Sequence, residues 1–166
     1  MTPKIQYICT EPAEMRLGEA ITLYDTPPED HWPEVLRKMG HGQGTGPSFL
    51  RVREAVNEGL ERAAFDDLKD SYGVNAETMA RVTRIPMRTL SRRERFKPEE
   101  SERILRVAGV FQSALECLES PVAARRWLNA PKMALAGLTP LECCDTEAGA
   151  REVEQLLLRL EYGVFA

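Results

Sequence analysis

The apolar residues of this chain recur three or four positions apart from Phe49 onward, and this spacing constrains the fold more than any other feature. Residues spaced in this way lie on one face of an α-helix. The longest stretch follows Pro98 and contains Ile104, Val107, Ala108, Phe111, Ala114, Leu115 and Leu118. We find no convincing run of β-branched residues that alternates with polar ones. The sequence therefore predicts an almost all-α protein whose core is built on the helix after Pro98.

Glycine, proline and capping residues predict where the helices begin and end. Gly73 suits a helix C-terminus and Asn75 suits the N-cap of the next helix. Pro86 and Pro98 each suit the first turn of a helix, where a missing N–H costs nothing. These signals predict helices over about 48–58, 76–83, 87–95 and 121–128. They also predict a second helix that follows the first and ends at residue 71, and a long helix that begins at residue 98. The last predicted helix begins after Asp145–Thr146 and ends at Gly163.

The first 47 residues differ in composition from the rest, because they hold six of the eleven prolines and five of the eleven glycines. We interpret them as an N-terminal arm with one short helix between Pro28 and Met39, which ends in a flexible linker over 40–47. The glycines of this linker do not form a phosphate-binding loop, since no Lys-Ser or Lys-Thr pair follows them. Two roles for the short helix remain open: packing on its own domain, or forming a dimer interface.

Composition argues against several other classes of protein. No run of 18 apolar residues occurs and no secretory signal is recognisable at the N-terminus, so we expect a cytoplasmic protein. The four cysteines include no C-x-x-C motif, which favours free thiols over a disulfide framework. With only two histidines, His31 and His41, a zinc site of normal spacing cannot be assembled. We expect neither a metal nor a cofactor.

No residue pattern indicates an active site. The sequence suggests no nucleophile with a nearby base, and both histidines fall in the arm and linker. Glu99, Glu100 and Glu102 resemble a carboxylate cluster, but acidic residues in the first turns of a helix are explained by the helix dipole. The sequence therefore predicts a protein that is not an enzyme.

Charge is distributed very unevenly along the chain. The segment 81–97, which we call the basic island, holds seven basic residues and one acidic residue, Glu94. Its net charge is +6, whereas the rest of the chain carries -10. A mildly acidic protein with one basic segment is typical of a protein that presents that segment to an anionic partner.

The basic island coincides with two short predicted helices joined by a tight turn, the arrangement of a helix-turn-helix. The first helix is 76–83, and the second, the recognition helix, is 87–95. We predict that Leu90 points to the core while Arg88, Thr89, Ser91 and Arg92 reach base edges. Contacts to phosphates are predicted for Arg84, Arg93, Arg95 and Lys97. An ordinary solvated surface is the alternative, but the lack of acidic residues at i, i+4 favours DNA.

The C-terminal third contains a series of motifs in a specific order. They are Trp127–Pro131, Ala134-Leu135, Gly137, Thr139–Glu142, Asp145–Glu147, Gly149-Ala150, Val153 and Tyr162–Ala166. This series resembles the C-terminal toxin-binding domain of the Xre–MbcA–ParS antitoxins. Upstream motifs are similar to the same family: Arg88–Leu90, Arg92-Arg93 and Glu100–Arg103. The resemblance covers residues 49–166, and the pair Cys143-Cys144 stands where the family usually has leucines, which we interpret as an apolar replacement.

This resemblance implies an antitoxin of a type II toxin–antitoxin system, with a cognate RES-domain toxin that depletes NAD+. Many members also repress their own operon through the helix-turn-helix, usually as homodimers. The fold it implies is an Xre-like helix-turn-helix domain over 48–97 and a helical toxin-binding domain over 98–166, after the arm and linker of 1–47. We expect toxin contacts from Leu141, Arg159, Tyr162, Gly163, Val164, Phe165 and Ala166.

The chain end carries the most specific part of this hypothesis. Val164 and Phe165 are apolar and Ala166 has the terminal carboxylate, so the tail suits a plug for the NAD-binding cleft of the toxin, with the carboxylate on its arginines. Alternatively, Phe165 folds back onto the last helix as a hydrophobic cap. At the level of the whole protein, the competing hypothesis is a stand-alone transcription regulator with a C-terminal oligomerisation domain.

Overall fold

In a computed structural model, residues 32–41 and 47–163 can be described, and the predicted all-α architecture is confirmed for them. These residues form the α-helices α1 (Trp32–Lys38), α2 (Ser48–Glu58), α3 (Arg62–Tyr72), α4 (Ala76–Thr83), α5 (Met87–Leu90), α6 (Pro98–Leu118), α7 (Pro121–Leu128), α8 (Pro140–Cys143) and α9 (Glu147–Glu161). A short 3-10 helix, Met133–Leu135, lies between α7 and α8. Within these residues the β-type pairing is limited to an isolated antiparallel bridge between Glu61 and Arg95.

Local capping signals fix several helix ends. Asn75 precedes α4, and its side-chain oxygen accepts a hydrogen bond of 2.8 Å from the main-chain N–H of Thr78. Gly73 ends α3 in the left-handed conformation with φ of 67°. This conformation costs glycine nothing because it has no Cβ. The predicted bounds of α2 and α4 are confirmed.

The predicted recognition helix is too long, because α5 ends at Leu90 rather than at Arg95. Its continuation is held in another conformation by main-chain hydrogen bonds to the segment before α3. Arg62 N–H donates to the Glu94 carbonyl at 2.7 Å, and Phe96 N–H donates to the Leu60 carbonyl at 2.8 Å. Phe96 is buried by this pairing, so residues 91–96 form a pinned loop instead of further helical turns.

Helix α6 is the centre of the core, as predicted. It packs against α9, α7, α2 and α1. Its residues Ile104 and Val107 are fully buried, whereas Leu115 and Leu118 are only partly buried. The last helix, α9, buries Val153 and Leu157 against it. No helix within residues 32–41 and 47–163 is both long enough and apolar enough to span a membrane.

The N-terminal helix α1 belongs to this core. Val35, Leu36 and Met39 are buried and Trp32 packs beside them, so this helix contributes an apolar face to the core. At its end, Lys38 Nζ donates a hydrogen bond of 2.9 Å to Gln112 Oε1 on α6. Of the two roles predicted for this helix, α1 has the first: it packs on its own domain. The rest of the predicted arm and the linker residues 42–46 lie outside the described residues.

Candidate functional sites

The turn between α4 and α5 places a short helix on the surface of the molecule. Arg84 adopts a left-handed conformation with φ of 52°, an uncommon one for a residue other than glycine. The next residue, Ile85, is buried, and its N–H donates to the Ala80 carbonyl at 2.9 Å. Leu90 is buried as predicted, so α5 is anchored from both of its ends.

The outer side of α5 and of the following turn is polar and basic. Arg88, Ser91 and Arg92 are exposed, and Thr89 is half-buried beside them. These are the four residues predicted to reach base edges, and all four are at least partly exposed although the helix ends before Ser91. A guanidinium group can donate two parallel hydrogen bonds to a guanine edge or to a phosphate.

All three arginines predicted to contact phosphates form ion pairs with acidic residues of the same chain. Arg84 Nη2 lies 2.8 Å from Asp145 Oδ2, and Arg95 Nη2 lies 2.9 Å from Glu61 Oε1. Arg93 forms an ion pair with Glu100, whose carboxylate also accepts the main-chain N–H of Lys97. Within the basic island no acidic residue lies four positions from an arginine. The fold instead brings acidic residues from other parts of the chain next to these arginines.

Three cations of the island remain available among the described residues. The side chains of Arg88, Arg92 and Lys97 are exposed, and none of them makes a hydrogen bond or ion pair there. The basic surface is therefore smaller than the charge count of the sequence indicates. Its centre lies at α5 and the start of α6.

The α4–α5 unit is joined to the C-terminal part of the chain by further arginine contacts. Arg81 Nη2 lies 3.6 Å from Glu142 Oε1 on α8. Together with the pair of Arg84 and Asp145, this contact forms a two-pair cluster that we call the acidic clamp, after its acidic members Glu142 and Asp145. Sequence reasoning missed the clamp, because its partners are about sixty residues apart and no local pattern marks them.

Glu142 has a second role as part of a capping box at the start of α8. Its carboxylate accepts the N–H and the hydroxyl of Thr139 at 3.0 and 2.9 Å, while the Thr139 hydroxyl accepts the Glu142 N–H. These Thr139 hydrogen bonds, with a smaller contribution from Arg81, lower the pKa of the Glu142 carboxyl. Glu142 therefore stays ionised at neutral pH.

Leu141 was predicted to contact the toxin, and its position corrects that prediction. Its exposed fraction is 2%, because it packs into the core on the inner side of α8. Cys144 next to it is also buried, and its thiol donates to the Pro140 carbonyl at 3.2 Å. Burial raises the pKa of the Cys144 thiol far above its ordinary value. In this conformation both residues stabilise the domain and leave surface contacts to their neighbours.

The C-terminal end of α9 presents an apolar surface. Leu158 and Tyr162 lie one turn apart with exposed fractions of 51% and 75%. Arg159 between them is exposed and pairs with Glu152 at 2.9 Å. Gly163 follows in a left-handed conformation with φ of 64°. The remaining predicted toxin contacts, Val164, Phe165 and Ala166, lie outside the described residues.

Sequence reasoning missed an exposed apolar residue in the turn before α8. Met133 has an exposed fraction of 93%. It belongs to a 3-10 helix and not to an amphipathic stripe, so helical spacing gave no signal for it. Trp127 is half-buried, and Lys132 Nζ lies 5.0 Å from the centre of its ring.

No constellation for metal chemistry occurs in the ranges 32–41 and 47–163, since no group of three His, Cys, Asp or Glu side chains is placed to hold an ion. The features that stand out are instead surfaces for partners. One is a helix-turn-helix with open arginines, and the other is an apolar helix end in a second helical segment.

These features define a helix-turn-helix protein with an additional C-terminal helical domain, and comparison with known proteins specifies its family. Residues 51–109 match the antitoxin Xre-like helix-turn-helix domain. Residues 113–163 match the antitoxin Xre/MbcA/ParS C-terminal toxin-binding domain. The chain belongs to the Xre antitoxin family, which confirms the resemblance noted from its motifs.

Relatives named antitoxin Xre support this assignment over most of the chain. The relative from Yersinia enterocolitica is 34% identical over 148 residues, covering 86% of this chain and 98% of its own length. That from Photorhabdus laumondii is 29% identical over 135 residues, covering 78% and 89%. That from Pseudomonas putida is 40% identical over 83 residues, covering 48% and 52%. The match of residues 113–163 favours toxin binding over oligomerisation as the role of the C-terminal domain.

The two matched ranges adjoin within α6, which runs from residue 98 to residue 118. The predicted domain boundary at 97–98 lies at the first residue of this helix and stays a prediction. Helix α1 lies before both matched ranges, although its side chains are part of the same core.

Proposed function

We propose that this chain neutralises a RES-domain toxin that degrades NAD, by binding the toxin and blocking its active site. The observation that carries the proposal is the match of residues 113–163 to the toxin-binding domain of the family. The apolar end of α9 supports it, because exposed Leu158 and Tyr162 lie directly before the tail 164–166. In this function the protein acts by occupying another protein, without being an enzyme.

The net charge of the C-terminal segment supports binding to a basic cleft of the toxin. From Glu142 to the C-terminus the chain has six acidic residues and two arginines, Arg151 and Arg159. Both arginines pair with acidic residues of α9, so the segment is left with a net negative surface. An acidic surface is attracted to a basic cleft, such as one that holds the phosphates of NAD.

The tail supplies the blocking contact in this proposal. The Ala166 carboxylate would contact arginines of the cofactor site, since charge-assisted bonds between arginine and carboxylate are strong and directional. Burial of the Phe165 ring would add about 1.5–3 kcal/mol. Arg159 and Tyr162 would flank the tail on α9.

Co-expression with the RES-type protein encoded beside this gene tests the proposal. The expected result is a purified complex of the two proteins, normal growth and a normal cellular level of NAD+. Expression of the neighbour alone should deplete NAD+ and arrest growth. A neighbour that is harmless alone, or that remains toxic beside the antitoxin, would contradict the proposal.

We further propose that the protein represses its own operon as a homodimer in the cytoplasm. The open side chains of Arg88, Arg92 and Lys97 support DNA binding, because they are exposed and unpaired within the described residues. Arg88, Thr89, Ser91 and Arg92 would contact bases, and Lys97 would contact phosphate. A mobility-shift measurement with the upstream region of the gene tests this, with the same fragment in scrambled sequence as the control.

A further inference from the structure

The acidic clamp engages two arginines at the place where a helix-turn-helix meets DNA. Arg81 is exposed on α4 and Arg84 forms the turn after it. In helix-turn-helix complexes the first helix crosses the DNA backbone while the second enters the major groove. Arg81 and Arg84 are thus placed to face phosphates, but they face the carboxylates of Glu142 and Asp145.

We infer that Glu142 and Asp145 compete with DNA phosphates for Arg81 and Arg84, and so weaken DNA binding by the helix-turn-helix. The inference rests on the DNA-binding function proposed above. Carboxylates and phosphates accept the same charge-assisted hydrogen bonds from a guanidinium group. In addition, the two carboxylates repel the phosphates of a docked duplex, because like charges oppose each other at an interface.

The exposure of the four side chains in the acidic clamp indicates that DNA phosphates can replace its carboxylates. The side chains of Arg81 and Arg84 are 65% and 57% exposed, and those of Glu142 and Asp145 are 35% and 40% exposed. An exposed ion pair changes an equilibrium by about 1.4- to five-fold. The clamp therefore lowers the affinity for DNA without abolishing it.

The position of the clamp links DNA binding to the toxin-binding domain. Glu142 and Asp145 lie within residues 113–163, whereas Arg81 and Arg84 lie within residues 51–109. A carboxylate drawn away from the clamp by any partner of the C-terminal domain would free an arginine for phosphate. The link follows from these two ion pairs alone and needs no rearrangement of the core.

The test uses the full chain with the substitutions Glu142→Gln and Asp145→Asn. Glutamine can still accept the Thr139 N–H, so the capping box of α8 is retained. The control carries Glu119→Gln and Glu161→Gln, which change the net charge equally. Glu119 follows the C-terminus of α6, whose 21 residues place it about 30 Å from Lys97.

Binding is measured by fluorescence anisotropy with a short duplex of arbitrary sequence, since phosphate contacts do not depend on sequence. We expect the clamp variant to bind about two- to twenty-five-fold more tightly than the control variant at low salt. Each single substitution should give part of the effect.

Equal affinity of the clamp and control variants would overturn the inference while leaving DNA binding itself intact. If none of the proteins binds the duplex, the proposed DNA-binding function fails, and the inference fails with it. Thermal melting followed by circular dichroism checks that every variant is folded. If the double variant is unfolded, Asp145→Asn alone decides, because it removes the shorter of the two ion pairs.

Discussion

The hydroxyl of Tyr72 donates a hydrogen bond of 2.9 Å to the main-chain carbonyl of Val107, which joins α3 to the central helix α6. Tyr72 is fully buried, and its ring packs on Phe111 with 4.9 Å between the ring centres. A buried hydroxyl normally needs such a partner, because an unpaired one loses its hydration without compensation. This contact attaches the helix-turn-helix part of the chain to the core.

We predict that Tyr72→Phe lowers the free energy of unfolding by about 0.5–1.5 kcal/mol, because it removes one hydrogen bond and keeps the ring. Urea unfolding followed by circular dichroism measures the change. Tyr72→Ala should cost about 3–5 kcal/mol by analogy with other large-to-small substitutions of core aromatic residues. Equal costs for the two variants would show that the hydroxyl, and not the ring, accounts for the contribution.

We predict that Leu36→Ala destabilises the protein by about 2–5 kcal/mol, since the side chain of Leu36 is fully buried in α1. Arg37→Ala is the matched control, because Arg37 is exposed and, among the residues that the structure describes, its ion pair is with Glu34 in the same helix. The control should change stability by less than about 0.5 kcal/mol. Equal melting temperatures of the two variants would argue against α1 as part of the core.

Deletion of residues 164–166 should restore toxicity to a co-expressed RES toxin while the melting temperature stays nearly unchanged. The reason is that the deletion removes the proposed plug and no part of the described core. Growth and cellular NAD+ are measured together with the melting curve. Phe165→Ala keeps the terminal carboxylate and should give an intermediate result. Full neutralisation by the truncated protein would refute the plug but not toxin binding through the helices.

The double substitution Arg88→Glu and Arg92→Glu should abolish operator binding at about 150 mM salt, because both exposed side chains belong to the proposed DNA-binding surface. Neutralisation of the toxin should be unaffected. The charge-matched control is Arg53→Glu with Arg126→Glu, two exposed arginines on α2 and α7. An operator shift that survives in the double variant would show that α5 is not the recognition helix.

Stability should fall at alkaline pH partly through Cys144. Burial raises the pKa of this thiol in the folded state, so the unfolded chain loses its proton first as the pH rises. The contribution of Cys144 is therefore complete below the unfolded pKa, about pH 8.5, and decreases above it. Unfolding free energies of the wild type and of Cys144→Ala, measured between about pH 8 and pH 10.5, should differ in slope over this range. Parallel curves would show that another group is responsible.

Local signals explain which parts of the fold could be predicted from the sequence. The bounds of α2 and α4 depend on caps and on turn residues within a few positions, so they are readable along the chain. The end of α5 depends on main-chain bonds between residues 60–62 and 94–96, and the sequence gives no sign of this pairing. The predicted helix was therefore too long.

The candidate DNA surface was predictable as a region but not residue by residue. A charge count locates the basic island, yet it cannot show which arginines are held by acidic residues elsewhere. Arg93 and Arg95 pair with Glu100 and Glu61, and these partners are brought close only by folding. In the same way, Leu141 belongs to a motif of the toxin-binding domain, but its burial depends on how α8 packs.

The continuity of α6 has a consequence for any attempt to study the two binding activities in isolation. A fragment cut between the matched ranges would retain only part of this helix, and short helices without packing partners are marginal in water. Each half would also lose the apolar surface that the other half covers. Separation of the two activities in this protein therefore has to rely on single substitutions at the surface, with the whole polypeptide left uncut.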